Sequence, residues 1–65
     1  MIKFYVDQVR IKKGLSIRAL AARANIAKSY LQRIEAGEAS PSLEVMCRLA
    51  KALDVPITDL FEFFA

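Results

Sequence analysis

Leu15 to Gly37, LSIRALAARANIAKSYLQRIEAG, reads as two short helices joined by a tight turn at Asn25. Ser16 offers an N-cap, because its hydroxyl can accept a bond from one of the amides that the first helical turn leaves without a partner. Leu20, Ala21 and Ala24 share one face of the helix that follows. A turn this short brings its two helices close together, and the small Ala21 and Ala24 allow the approach. Asn25 sits where the chain reverses, and after Gly it is among the residues that best tolerate a left-handed backbone. Ile26 and Ala27 then lead into a helix that runs to about Ala36 and stops at Gly37.

Advancing about 100° per residue from Lys28 gathers Lys28, Gln32, Ala36, Ser29 and Arg33 into an arc of about 140°. Tyr30, Ile34, Ala27 and Leu31 fall together on the other side. The polar arc suits base edges: Arg and Lys donate to guanine O6 and N7, Gln pairs with adenine N6 and N7, and Ser serves either. Any amphipathic surface helix has a polar face. The short turn, the small residues at the helix contact and the basic helices before it point further, to a helix that enters a nucleic-acid groove. Arg23 reads as a solvated charge. Arg18 lies in the first turn of its helix, where free amides already attract phosphate, and is read as a backbone contact.

Working outward, Ile2, Val6, Val9 and Arg10 recur at helical spacing and predict a first helix over residues 3–13, ending at Gly14. On the other side Glu38 to Pro41 is a loop. Ser42 caps a helix over LEVMCRLAKAL, whose Val45, Met46, Leu49, Ala50 and Leu53 form a stripe of period 3.6. Cys47 lies beside Met46 but off that stripe, and is read as a small packed residue. Pro56 separates this helix from a last one over ITDLFEFF, with Asp59 near its positive end. The expectation is therefore an all-α fold, a compact five-helix bundle forming one domain over residues 1–65. Its helix-turn-helix core spans 16–37, and residues 54–65 form a candidate dimerisation end.

Sixty-five residues lie near the lower size at which a chain folds without disulfides or metals, because so small a domain buries only about 60% of its unfolded surface. An apolar fraction of 55%, interrupted by two Gly and two Pro, favours a packed bundle over disorder. The single Cys47 permits no internal disulfide and the absence of His leaves no metal constellation, so a reducing, cytoplasmic setting is expected. The opening MIKFYVDQVRIKK lacks the apolar run of a signal peptide, and no stretch approaches the roughly 20 apolar residues that span a bilayer. No membrane, cofactor or small-molecule substrate is implied. Without His, a paired-carboxylate cleft or a Gly-rich phosphate loop, the chain is not read as an enzyme.

Charge is informative by position. Residues 1–37 carry eight bases against Asp7 and Glu35, a net +6, whereas residues 38–65 carry Arg48 and Lys51 against five acids, a net −3. The basic half suits a phosphate backbone, whose neutralisation supplies most non-specific DNA affinity. The acidic half is expected to face away.

Residues 6–61 resemble the helix-turn-helix domain of the phage repressor/Cro and xenobiotic-response-element group. The resemblance rests on VDQVR-IKKGLS, LAARANIAKSYLQRIEAG and SPSLEVMCRLAKALDVPITDLF, in which Arg10, Leu15-Ser16, Leu20-Ala21, Ile26, Ile34-Glu35, Gly37, Pro41-Ser42 and Ala50-x-x-Leu53 fall at the family's spacing. It implies a five-helix, lambda-repressor-like domain that binds double-stranded operator DNA, usually as a homodimer, and so a regulator of transcription, most simply a repressor. It also implies that Lys28, Ser29, Gln32 and Arg33 read bases. Ser16, the backbone amide of Ile17, Arg18, Ser40 and Ser42 would then position the phosphates. Arg10 and Glu35 match positions that often pair and link the first helix to the recognition helix, although periodicity alone leaves Glu35 a solvated carboxylate.

The chain departs from the family pattern at four places. Ile17 stands where Gln is common, Ala27 where Ser or Thr caps the recognition helix, Asn25 where Gly is usual, and Glu38 in a loop that often carries a base. Together they imply modest affinity per monomer, with dimerisation supplying the rest. Phe61, Phe63 and Phe64 crowd the end of the chain, and a short helix cannot turn them all inward. Val55, Ile57, Phe61, Phe63 and Phe64 are the expected dimer interface, a two-fold dimer presenting its recognition helices about 34 Å apart. The competing arrangement folds the aromatics back over Ile2, Phe4 and Tyr5. A rival function on the same fold, favoured by Ile17, Glu38 and the acidic half, is a protein-interaction module that binds a partner through the Phe-rich end.

Overall fold

The computed structural model describes residues 1–65, the whole of the sequence. Four helices form its body: α1 (Val6–Lys12), α2 (Ile17–Ala24), α3 (Lys28–Glu35) and α4 (Leu43–Leu53). A 3-10 turn over Ile57–Asp59 follows, and two short strands, β1 (Ile2–Phe4) and β2 (Phe61–Phe63), join the ends of the chain. They pair antiparallel with Ile2 opposite Phe63, Lys3 opposite Glu62 and Phe4 opposite Phe61.

The five-helix expectation is thereby corrected to four helices and a small sheet. The helix predicted over 3–13 starts only at Val6, and the helix predicted over ITDLFEFF is a single 3-10 turn followed by a strand. A helix of so few residues is marginal on its own. Ile2-Lys3-Phe4 and Phe61-Glu62-Phe63 each alternate apolar, charged, apolar, which is the period of a strand. Pairing them sets opposite charges face to face and gathers the four apolar side chains on one side.

Local chemistry sets the helix boundaries. Ser16 Oγ accepts from Ala19 N–H at 3.0 Å and Ser42 Oγ from Val45 N–H at 3.1 Å, each capping the helix it precedes. Asn25 has φ +56°, and α2 closes with Ile26 N–H donating to Ala21 O at 3.0 Å. Asp54, at φ +57°, repeats this device after α4, with Val55 N–H donating to Ala50 O at 3.1 Å, so α4 stops before Pro56 is reached.

Leu20, Leu31, Leu49 and Leu60, each 0% exposed, anchor a core to which all four helices and the segment after the 3-10 turn contribute. Full burial of such a side chain is worth about 1.5–3 kcal/mol. The α4 stripe packs inward through Met46, Leu49, Ala50 and Leu53. Cys47 is exposed rather than packed, because one step from Met46 turns a side chain about 100° around the helix, out of the stripe. No helix is long and apolar enough to cross a membrane.

Candidate nucleic-acid interface

The α2–α3 pair is held from inside by small and branched residues. Ala21 and Ala24 are each 3% exposed and lie in one core with Leu31, while Ile34 is 2% exposed. With Leu31 and Ile34 turned inward, the opposite arc of α3 faces solvent, and Lys28, Ser29, Gln32 and Arg33 are all exposed. Neither Lys28 nor Arg33 is paired with a carboxylate, so both cations are free to meet an anion. Ala27 precedes α3 with no side-chain cap, which leaves the first amides of that helix open.

At the start of α2, Ser16 and Arg18 are exposed, while Ile17 is half-buried and packs against the core. Ile17 thus presents backbone rather than a side chain. The loop before α4 exposes Ser40 and Ser42, and the Ser42 hydroxyl oxygen accepts the capping bond to Val45. Glu38 is exposed directly after α3, its N–H donating to Arg33 O at 2.8 Å.

One charged pair holds these parts in register. Arg10 Nε donates to Glu35 Oε2 at 2.8 Å, Nη2 donates to Glu35 Oε1 at 3.0 Å, and Nη1 donates to the carbonyl of Leu15 at 2.9 Å. The side chains are only 16% and 11% exposed. This two-pronged pair joins the last turn of α1 to the end of α3, and its third bond grips the residue just before the α2 cap. The bond to Glu35 holds the Arg10 pKa above its usual value, against the opposing effect of burial. Its grip on Leu15 carries no sequence signal, because the acceptor is backbone.

A second feature that sequence reading missed lies elsewhere. Arg48 and Lys51, the two bases of the acidic half, meet Arg23 around an open cavity of about 520 Å³ beside the end of α2. Their spacing of three on α4 was the available signal.

At the Phe-rich end, Val55, Ile57 and Phe61 are half-buried and pack against the core. Phe63 and Phe64 stay out, 67% and 44% exposed, as does Ile2, the strand partner of Phe63, at 52%. The chain end does return to the N-terminal segment, but through a strand ladder that leaves Phe63 and Ile2 uncovered.

Comparison with known proteins agrees with this frame. The chain is 36% identical over 63 residues to the HTH-type transcriptional regulator SlrR of Bacillus subtilis, covering 95% of this chain and 41% of that protein. The chain spans about half the length of the curated relatives it matches. The restriction-modification controller protein C.AhdI of Aeromonas hydrophila superposes with a TM-score of 0.81 at 33% identity, over 83% of this chain and 82% of its own. The N-terminal DNA binding domain of SinR from Bacillus subtilis superposes with a TM-score of 0.76 at 37% identity, over 82% of this chain and 78% of its own. A helix-turn-helix family model matches residues 6–60. Those limits run from Val6, the first core residue, to Leu60, the last, and the chain belongs to the helix-turn-helix family.

Proposed function

We propose that the protein is a DNA-binding regulator of transcription that acts as a dimeric repressor, occupying a pseudo-palindromic operator with α3 in the major groove. The observation that carries this reading is the exposed arc of Lys28, Ser29, Gln32 and Arg33, set on a helix whose other face is locked into the core. Each of these side chains has donors or acceptors that match a base edge. The start of α2, through Ser16, the Ile17 amide and Arg18, and the loop before α4, through Ser40 and Ser42, would hold the phosphates on either side. Relatives of similar sequence are named as transcriptional regulators, which supports the same reading. Two copies would be joined through the end that carries Phe63 and Phe64, spacing their recognition helices by about one DNA turn.

Selection of bound sites from a random DNA pool tests this. The expected result is a two-fold symmetric motif whose binding weakens steeply with salt. Arg33→Ala should relax the preference at one base position by roughly 1–3 kcal/mol, whereas a uniform loss over all sequences would make Arg33 a phosphate contact. No retardation of any fragment at low salt would overturn the reading and favour a protein-interaction module.

A further inference from the structure

The sheet formed by β1 and β2 lies outside the residues that match the family model, 6–60. Its bonded positions are Met1 with Phe64, Lys3 with Glu62, and Tyr5 with Leu60; Phe64 N–H donates to Met1 O at 2.8 Å and Tyr5 N–H to Leu60 O at 2.8 Å. In an antiparallel ladder the residues between bonded pairs turn their N–H and C=O groups away from the partner strand. Phe61 and Phe63 therefore direct their backbone groups to the outer edge of β2, and the N–H groups of both have no backbone partner within the chain. An unpaired edge of this kind is a template for another strand.

We propose that the outer edge of β2 pairs with the same edge of a second copy, antiparallel and centred on Phe63, to make a four-stranded sheet across the dimer axis. This rests on the dimer reading above and gives it a structural mode. Three registers are open to a two-fold pairing of β2, and electrostatics and chain path select one. Pairing Phe61 with Phe63 of the partner subunit sets the two Glu62 carboxylates directly opposite each other, which is destabilising. Centring on Phe61 runs the partner strand past Leu60 into the 3-10 turn at Ile57–Asp59, where no extended edge remains. Centring on Phe63 sets Glu62 opposite a Phe64 and exchanges two N–H···O=C bonds between the central residues.

The side chains favour the same register. Phe63 shares a face of the sheet with Ile2, Phe4 and Phe61, while Lys3 and Glu62 point to the other face, where Tyr5 Oη donates to Glu62 Oε1 at 2.7 Å. Phe4 and Phe61 already pack on the helical core, whereas Phe63 and Ile2 overhang it. At the axis the two Phe63 rings become a cross-strand aromatic pair flanked by the two Ile2 side chains. A second copy supplies the complement to both the bare edge and the bare apolar pair.

Sedimentation of the full chain, compared with Phe63→Ala and Phe63→Pro, tests the backbone pairing. Both variants lose the ring, but only proline lacks the N–H, which the internal ladder does not use, so matched thermal melts are expected at dilutions where both are monomeric. The dimer constant should weaken roughly tenfold more in Phe63→Pro than in Phe63→Ala. Equal weakening would overturn the ladder while leaving a side-chain dimer at this end. No weakening in either variant would overturn the ladder by moving the interface away from this end, and a wild-type chain that stays monomeric throughout would overturn the dimer reading itself. Should the proline variant unfold, hydrogen exchange of the wild-type Phe63 amide decides: slowing with dimerisation supports the ladder, and exchange as fast as a free amide overturns it.

Discussion

The α2–α3 pair and the β1–β2 sheet are held together over very different distances along the chain. The helices meet across a three-residue turn, Asn25 to Ala27, and buried Ala21, Ala24, Leu31 and Ile34 fix them, so their outward arc is polar. The sheet pairs Ile2 with Phe63, almost the full length of the chain apart, through three-residue strands whose outer positions are apolar and uncovered. A two-stranded ribbon of this size is marginal alone and borrows its stability from Phe4 and Phe61, which rest on the helices. The helix pair is thus a rigid platform for contacts that need fixed geometry. The sheet is a weakly held edge that a further strand can complete.

Truncation should separate the two regions most sharply. Leu31→Ala removes a fully buried side chain from between the helices and is expected to cost about 2–5 kcal/mol in urea unfolding. Ile2→Ala, at a position more than half exposed, should change stability by no more than about 0.5 kcal/mol when measured on dilute protein. Equal costs at the two sites would mean that the sheet is as integral to the fold as the core.

The next largest effect is expected where charge, not packing, fixes the helix pair. Glu35→Ala leaves the Arg10 guanidinium with the Leu15 carbonyl as its remaining partner in a mostly desolvated position, at a cost of about 3 kcal/mol. A guanidinium is charged between about pH 7 and 10 with or without Glu35, so the cost should not change across that range. A loss below about 0.5 kcal/mol would class the pair with ordinary surface ion pairs and remove its positioning role.

The two regions also differ in how far they could be read in advance. Ser16, Asn25, Gly37 and Ser42 act within a turn or two of their own positions, and each adopts the capping or left-handed role its chemistry suggests. The apolar periods bury Leu20, Ala21 and Ala24 on α2, Leu31 and Ile34 on α3, and Met46, Leu49, Ala50 and Leu53 on α4, whereas Tyr30 and Val45 are half-buried and Ala27 is exposed. The strands are not legible locally, because Ile2, Val6 and Val9 also fit a helical spacing, and nothing nearby separates that from the alternation in Ile2-Lys3-Phe4. What decides between them is Glu62, opposite Lys3 and far along the chain. Pro56 marks a stop in the sequence, but Asp54, in the left-handed conformation two residues earlier, is what closes α4. At the interface, periodicity exposed Lys28, Ser29, Gln32 and Arg33, but the bond from Arg10 to a backbone carbonyl depends on how α1 is placed against α2.

The smallest expected effect belongs to the sheet's polar face and appears only at high pH. Tyr5 donates to the Glu62 carboxylate, and this bond, more than burial or charge, holds the phenol pKa above 10.0. In the unfolded chain the same phenol titrates near its ordinary value of about 10. The folded state therefore keeps the proton longer, and the bond's contribution to stability is whole below about pH 10 and fades as pH rises through the folded value. Following tyrosinate absorbance in a Tyr30→Phe background isolates Tyr5, and Glu62→Gln should bring its transition down towards the unfolded value. A wild-type Tyr5 that titrates no higher than the Glu62→Gln variant would show that the bond is not populated in solution. Because the phenol is solvent-facing, the loss of this bond should loosen the strands while leaving the α2–α3 pair intact, which amide exchange at Lys3 and Glu62, set against Leu31, would read directly.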